Sequence, residues 1–204
     1  MITRSDSNLL SLVLGYVGSA FLVAAAAAYL TIGIASVIMW PAFIIAIILI
    51  FVINANRNNI PLSRVLFYVF AGVMGAMIGP ALAFVSPYIV FEAATTTGLG
   101  MAVLGLVAYT SSINFLRFQG IALGALIALV IVGIIGIFIN FIHPTVFAWL
   151  TLAVFTLLTL VDFARLKAGG NGLTAIQLAM GIFLDGINIF IALIQIFGGG
   201  GRRN

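Results

Sequence analysis

The sequence predicts an all-α polytopic membrane protein with about seven transmembrane helices. Of its 204 residues, 64% are hydrophobic and only 6% are charged, whereas a typical soluble domain has roughly 25% charged residues. The apolar residues form runs close to the roughly 20 residues that cross a bilayer. Eight Lys and Arg with four Asp and Glu cannot coat a water-soluble globule of this size. Lipid is therefore expected to cover most of the outer surface.

The apolar runs follow one another without a linker, which predicts a single integral membrane domain over residues 1–204. The first run begins near Leu9 and exceeds the roughly 7–15 residues of a signal-peptide core, so we interpret it as a retained span. Pro61 follows a group of asparagines and suits the first turn of a helix, where its missing N–H would have no partner. The predicted helices lie near residues 9–33, 35–54, 61–79, 85–109, 119–141, 145–166 and 173–197.

The basic residues predict the orientation of these spans, because cytoplasmic loops collect Lys and Arg. With the amino terminus in the cytoplasm, one side of the membrane receives Arg4, Arg57, Arg64, Arg117, Arg165 and Lys167. We therefore expect a multi-pass protein of the cell membrane with a cytoplasmic amino terminus. The positive charge is interpreted as a topology signal, and no nucleic-acid partner is expected. Arg202 and Arg203 would lie outside if the last helix spans completely and inside if it is re-entrant.

Small residues recur at four-residue intervals on two predicted helices. They are Ala71, Gly75 and Gly79 on the third span, and Gly120 and Gly124 on the fifth. Such spacing allows helix backbones to approach closely in lipid. We interpret both series as packing signals.

Three carboxylates lie in or just inside the predicted spans: Glu92, Asp162 and Asp185. An ionised carboxylate there is costly unless it is paired or hydrated. The three mark different depths of a possible cation path, with Glu92 toward the outer side. The alternative for each aspartate is a plain interhelical hydrogen bond, and for Glu92 a local polar cluster with Thr95 and Thr96.

The last predicted helix carries a narrow polar or small stripe within an arc of about 80°. Its members are Gln177, Gly181, Asp185, Asn188, Ala192 and Gln195. The sixth span has a matching stripe of Thr151, Thr159 and Asp162. We expect the two stripes to face each other, so that Asp162 and Asp185 meet.

Two carboxyls that meet in a low dielectric cannot both ionise readily, and one keeps or shares a proton. The pair is therefore a candidate pH sensor and gate, and when ionised a candidate Ca²⁺ ligand. Arg57 and Arg64 lie in the inner loop on the same side as Asp162, and either could latch it.

No enzyme is predicted, and no cofactor is expected. The chain has no cysteine and one histidine, and it lacks the His-Glu-x-x-His and Gly-x-Ser-x-Gly motifs. Neither aspartate stands in the Gly-x-Gly-Asp motif of intramembrane aspartyl proteases.

The carboxy-terminal third resembles the Bax-inhibitor-one family, also called the transmembrane Bax-inhibitor-motif family, in its bacterial branch. The resemblance rests on the sequence Leu-Val-Asp-Phe-Ala-Arg-Leu-Lys at 160–167 and on Leu-Asp-Gly-Ile-Asn-Ile-Phe at 184–190, followed by Phe-Gly at 197–198. A glutamate in the fourth span, Glu92, also fits. The loop near Arg117 is less basic than usual in this family, and Gly186 replaces a bulky residue.

The resemblance implies six helices around a central seventh, with Asp162 and Asp185 gating a pH-dependent calcium leak and Arg57 as the latch. The leading functional prediction is therefore a passive Ca²⁺ leak, with lipid, Ca²⁺ and protons as partners. The alternative hypothesis is a regulatory protein that binds and modulates a membrane protease. A proton-coupled transporter is the third hypothesis.

Overall fold

The computed structural model describes residues 4–139 and 142–199. Within these ranges the chain is helical and has no strand, and seven of its helices are long and apolar enough to cross a membrane. The seven are α1 Arg4–Thr31, α2 Met39–Ala55, α3 Ile60–Leu82, α4 Pro87–Thr110, α5 Gln119–Phe138, α6 Pro144–Lys167 and α7 Ala175–Gly199. Short 3₁₀ segments, Ser36–Ile38 and Phe115–Phe118, lead into α2 and α5. The predicted fold class is confirmed, and the helix ends lie within a few residues of the predicted ones.

The polar and proline-containing breaks start helices as their chemistry predicts. The Asn59 side chain accepts a hydrogen bond from the Leu62 N–H at 3.2 Å, and Pro61 lies in the first turn of α3. The His143 ring accepts from the Thr145 N–H at 3.3 Å at the start of α6. Both side chains satisfy N–H groups that have no partner inside the helix.

The chain packs as two compact units. The first consists of Met1–Val85 and Gly169–Phe183, and the second of Ser86–Ala168 and Leu184–Asn204. Helix α7 therefore contributes its first part to one unit and the remainder to the other. Among the seven spans, α7 is the most buried, with 50% of its most apolar window buried, and α5 is the least buried, with 6%.

In the first unit, α3 packs against α1 with direct backbone contact. A methyl group added at Gly75 would overlap the carbonyl oxygen of Ala24, and one added at Gly79 would overlap that of Ala28. The predicted close approach of α3 is therefore confirmed. On α7, the Phe183 ring packs against aromatic rings with centroids 5.1 to 6.1 Å away, which belong to Phe21, Phe67 and Phe70.

In the second unit, α6 packs against α4 and α5. The Lys167 ammonium donates hydrogen bonds to the carbonyl oxygens of Ala108 and Ser111, at 3.2 and 3.1 Å, and so caps the end of α4. Gly120 and Gly124 on α5 have no neighbour within 4 Å of an added methyl group in the part of the chain that the structure describes. The close approach predicted for these two glycines is not made there, because α5 turns this face away from its neighbours.

Candidate functional site

Asp162 and Arg165 form an ion pair near the end of α6. The Arg165 Nη1 and Asp162 Oδ1 atoms are 2.5 Å apart, and the two side chains are 24% and 11% exposed. Their three-residue spacing places them on the same face of the helix. Sequence reasoning treated Arg165 as a topology signal and did not predict the pair, although the spacing was the signal that could have found it.

Asp185 lies near the middle of α7 and is only 4% exposed. Asp162 and Arg165 are close enough for their charges to act on its carboxyl group. Its Oδ2 atom is buried and has no hydrogen-bond partner among the described residues. A buried carboxylate oxygen without a donor is costly in the ionised form. Asp162, Arg165 and Asp185 therefore form an aspartate cluster of two acidic side chains and one guanidinium within the second unit, with one acidic oxygen left unsatisfied among the described residues.

Thr159 contributes a hydroxyl group next to this cluster. It is completely buried, and its Oγ1 donates to the Phe155 carbonyl oxygen at 2.7 Å. The same hydroxyl is close enough to interact with the Asp185 carboxyl. In the structure this hydroxyl donates to Phe155, and a hydroxyl has a single hydrogen, so the Asp185 carboxyl competes with the Phe155 carbonyl for it.

The rest of the predicted polar stripe on α7 has other partners. The Gln177 Nε2 donates to the Asn54 Oδ1 at 2.8 Å, within the first unit. The Asn188 side chain is half-buried and donates to the carbonyl oxygen of Leu184 on its own helix, at 2.8 Å. The predicted approach of the two polar stripes therefore involves Thr159 on α6 and Asp185 on α7. Gln177 differs from the prediction, because it binds Asn54 near the end of α2.

Arg57 and Glu92, the other two predicted site residues, belong to different helices or loops from Asp162 and Asp185. Arg57 is exposed, follows the end of α2 and belongs to the first unit, whereas Asp162 belongs to the second. The latch between them stays a prediction. Glu92 is half-buried in the second turn of α4, with Thr95 and Thr96 exposed beside it. Its role in an ion path also stays a prediction.

The cluster has few oxygen ligands for a metal ion. Over the described ranges, no group of three or more His, Cys, Asp or Glu side chains could hold one. A dedicated Ca²⁺ site uses about six to eight oxygens, more than two carboxyls and one hydroxyl provide. The arrangement is chemically suited to holding a proton or to contacting a passing cation.

Comparison with known proteins agrees with a membrane-spanning fold. Over 182 residues the chain is 29% identical to an uncharacterised membrane protein of Vibrio cholerae serotype O1, which covers 85% of this chain and 80% of the relative. It is 26% identical over 170 residues to an uncharacterised membrane protein of Streptococcus pyogenes serotype M3, covering 79% and 74%. The family described as "Inhibitor of apoptosis-promoting Bax1" matches residues 6–203. The resemblance seen in the carboxy-terminal third thus extends over nearly the whole sequence, and the chain belongs to this family of membrane proteins.

Proposed function

We propose that the protein is a passive Ca²⁺ leak of the cell membrane, oriented with a cytoplasmic amino terminus, and that protonation of Asp162 and Asp185 controls its opening. The observation that best supports the proposal is the buried Oδ2 atom of Asp185. Among the described residues it has no hydrogen-bond donor, and the neighbouring Asp162 is already paired. No catalytic step and no cofactor are part of this function.

The charge of the cluster depends on the Asp185 proton. With Asp185 protonated, the Asp162–Arg165 pair is balanced and the site is neutral. Loss of the proton leaves two carboxylates with one guanidinium, so the site becomes negative and the two acidic groups repel each other. Deprotonation therefore favours separation of α6 from the second part of α7, and it attracts a cation.

A site with few oxygen ligands binds Ca²⁺ weakly, which favours passage of the ion over its retention. Conduction requires binding strong enough for an ion to enter and weak enough for it to leave. Hard carboxylate and hydroxyl oxygens suit Ca²⁺, and an incomplete ligand set would release it. In this proposal Glu92 lies on the outer part of the path, and Arg57 latches Asp162 in the closed state.

Calcium flux into liposomes across a pH series tests the proposal. Purified protein is expected to pass Ca²⁺ without any partner, with flux that rises as the pH is raised. Asp162→Asn and Asp185→Asn should each flatten or displace this pH dependence, because each removes one titrating group. Thr151→Val is the matched control, since Thr151 is buried on the same helix and bonds only to the Phe147 carbonyl at 2.9 Å. Unchanged pH profiles in both aspartate variants would contradict the proposed gate.

The same preparation separates the leak from the alternative function, regulation of a membrane protease. A regulator would leave protein-containing liposomes no more permeable to Ca²⁺ than empty ones, and a protease would co-purify with it. A dependence of flux on an imposed proton gradient, rather than on the pH itself, would point instead to a proton-coupled transporter.

A further inference from the structure

The first unit has a cavity of about 300 Å³ beside the start of α7. Its wall includes Arg57 from the loop after α2, Arg64 from the second turn of α3 and Tyr16 from α1. Arg57, Arg64 and the first turn of α7 lie close to one end of their spans, and α1 contributes Leu12 and, one turn deeper, Tyr16. The cavity therefore lies where spanning helices meet the headgroup region of a bilayer.

Two arginines give the cavity positive charge, although most of its wall is apolar. Neither Arg57 nor Arg64 has a carboxylate partner among the side chains that the structure describes. The Arg64 guanidinium lies 5.7 Å from the centroid of the Tyr16 ring, a cation–π contact that orients it while leaving its N–H groups free to bind. Two guanidiniums at one cavity provide the forked donors that match phosphate oxygens.

The start of α7 adds backbone donors to the same wall. The Gln177 N–H donates to Thr174 Oγ1 at 3.3 Å, and the Thr174 N–H donates to Gln177 Oε1 at 3.0 Å. This reciprocal cap satisfies two of the N–H groups that a helix leaves unpaired at its start. The other two unpaired N–H groups at the start of α7 belong to Ala175 and Ile176, and both residues line the cavity. Their N–H groups and the helix dipole favour an anion at this position.

We propose that this cavity binds the phosphate of an anionic phospholipid headgroup. The volume lies at the small end of the roughly 300–1,000 Å³ typical of small-molecule sites, so it suits a headgroup and leaves the acyl chains outside. Leu12 and Ile60 contribute apolar wall next to the charged groups, and both are exposed, so the chains can continue along apolar surface. Basic pockets at the ends of spans commonly recognise such lipids. The site shares Arg57 with the proposed latch, but the observations that support it do not include the aspartate cluster.

Binding of defined lipids to the detergent-solubilised protein tests this site. Short-chain phosphatidylglycerol should raise the melting temperature and remain bound in native mass spectra, whereas short-chain phosphatidylcholine should do neither. Inorganic phosphate is added in a separate arm. If phosphate stabilises the protein as well as phosphatidylglycerol does at equal concentration, the site recognises free phosphate and the lipid assignment is wrong.

Three variants identify the groups responsible. Arg57→Gln with Arg64→Gln should weaken phosphatidylglycerol binding about a hundredfold, because two charge-assisted hydrogen bonds are lost. Ala175→Pro removes one backbone N–H at the first helical position, where proline is tolerated, and should weaken binding about tenfold without changing the charge. Arg117→Gln, an exposed arginine of the second unit, is the control and should bind as the unaltered protein does. Equal binding by all three variants, or equal binding of phosphatidylcholine, would overturn the proposal.

Discussion

Helix α7 carries a polar cluster in each unit, and the two clusters differ in how completely their atoms are hydrogen-bonded. In the first unit, Gln177 accepts from the Thr174 N–H and donates to Asn54, so both ends of its amide have partners. In the second unit, Asp185 retains a buried oxygen that has no donor in the described part of the chain. Buried polar groups are normally satisfied, and an exception calls for an explanation. Under the proposed function, the Gln177 cluster stabilises the fold and the Asp185 cluster is the one that gains and loses a proton.

The strongest way to disturb the second cluster is to remove its only guanidinium. Arg165→Gln should lower the free energy of unfolding by about 3 kcal/mol, the low end for breaking a buried ion pair, since Asp162 loses its partner. Thermal or denaturant unfolding in detergent measures the change. The double variant Asp162→Asn with Arg165→Gln should recover most of the loss, because it leaves no unpaired charge. If the double variant is less stable than the single one, the pair does not contribute in this way.

The units also differ in how their helices approach each other, and alanine substitutions of glycine sharpen that contrast. Gly75→Ala should destabilise the protein by about 1–3 kcal/mol, the usual range for overpacking, because the methyl group meets the Ala24 carbonyl. The methyl group added by Gly124→Ala on α5 meets no described residue within 4 Å, so this substitution should leave the melting temperature unchanged or slightly higher. Equal effects of the two substitutions would show that the α1–α3 contact is looser than described.

The smallest expected effect concerns the satisfied cluster of the first unit. Gln177→Ala should lower stability by about 1 kcal/mol, the net value of an ordinary hydrogen bond, and should leave the pH profile of calcium flux unchanged. Gln195→Ala is the control, since Gln195 is exposed on the same helix. A displaced pH profile in the Gln177 variant would mean that the two clusters are energetically linked, and would weaken the distinction drawn between them.

Most of the fold could be predicted from the sequence because lipid imposes simple rules. Apolar runs of spanning length, with Pro61 and Pro144 just inside helix starts, are local signals that hold whichever helices become neighbours. Neighbour-dependent features could not be predicted as well. Gly75 and Gly79 on α3 have the same spacing as Gly120 and Gly124 on α5. Among the described residues, the first two meet another backbone and the last two do not.

In the candidate site, too, local features could be predicted and features that depend on neighbouring helices could not. The cost of a buried charge identified Asp162 and Asp185 from their positions in apolar spans. The spacing of the polar stripe on α7 predicts that the whole stripe faces α6, but Gln177 binds Asn54 of α2 instead. The Arg165 pair was missed because a basic residue at a span end fits the topology rule equally well. Sequence spacing gives the face of a helix, and only packing decides which helix that face meets.

The contact between α1 and α3 has a mechanical consequence. The glycines at 75 and 79 meet carbonyls at 24 and 28, so the interval is four residues on both helices. Sliding one helix by a full turn would bring the side chain of Ala71 or Ala83 to a carbonyl that now meets a glycine, and the two backbones would have to separate. The register is thereby locked, and α1 and α3 are expected to tilt or shift together as a single rigid body during any conformational change.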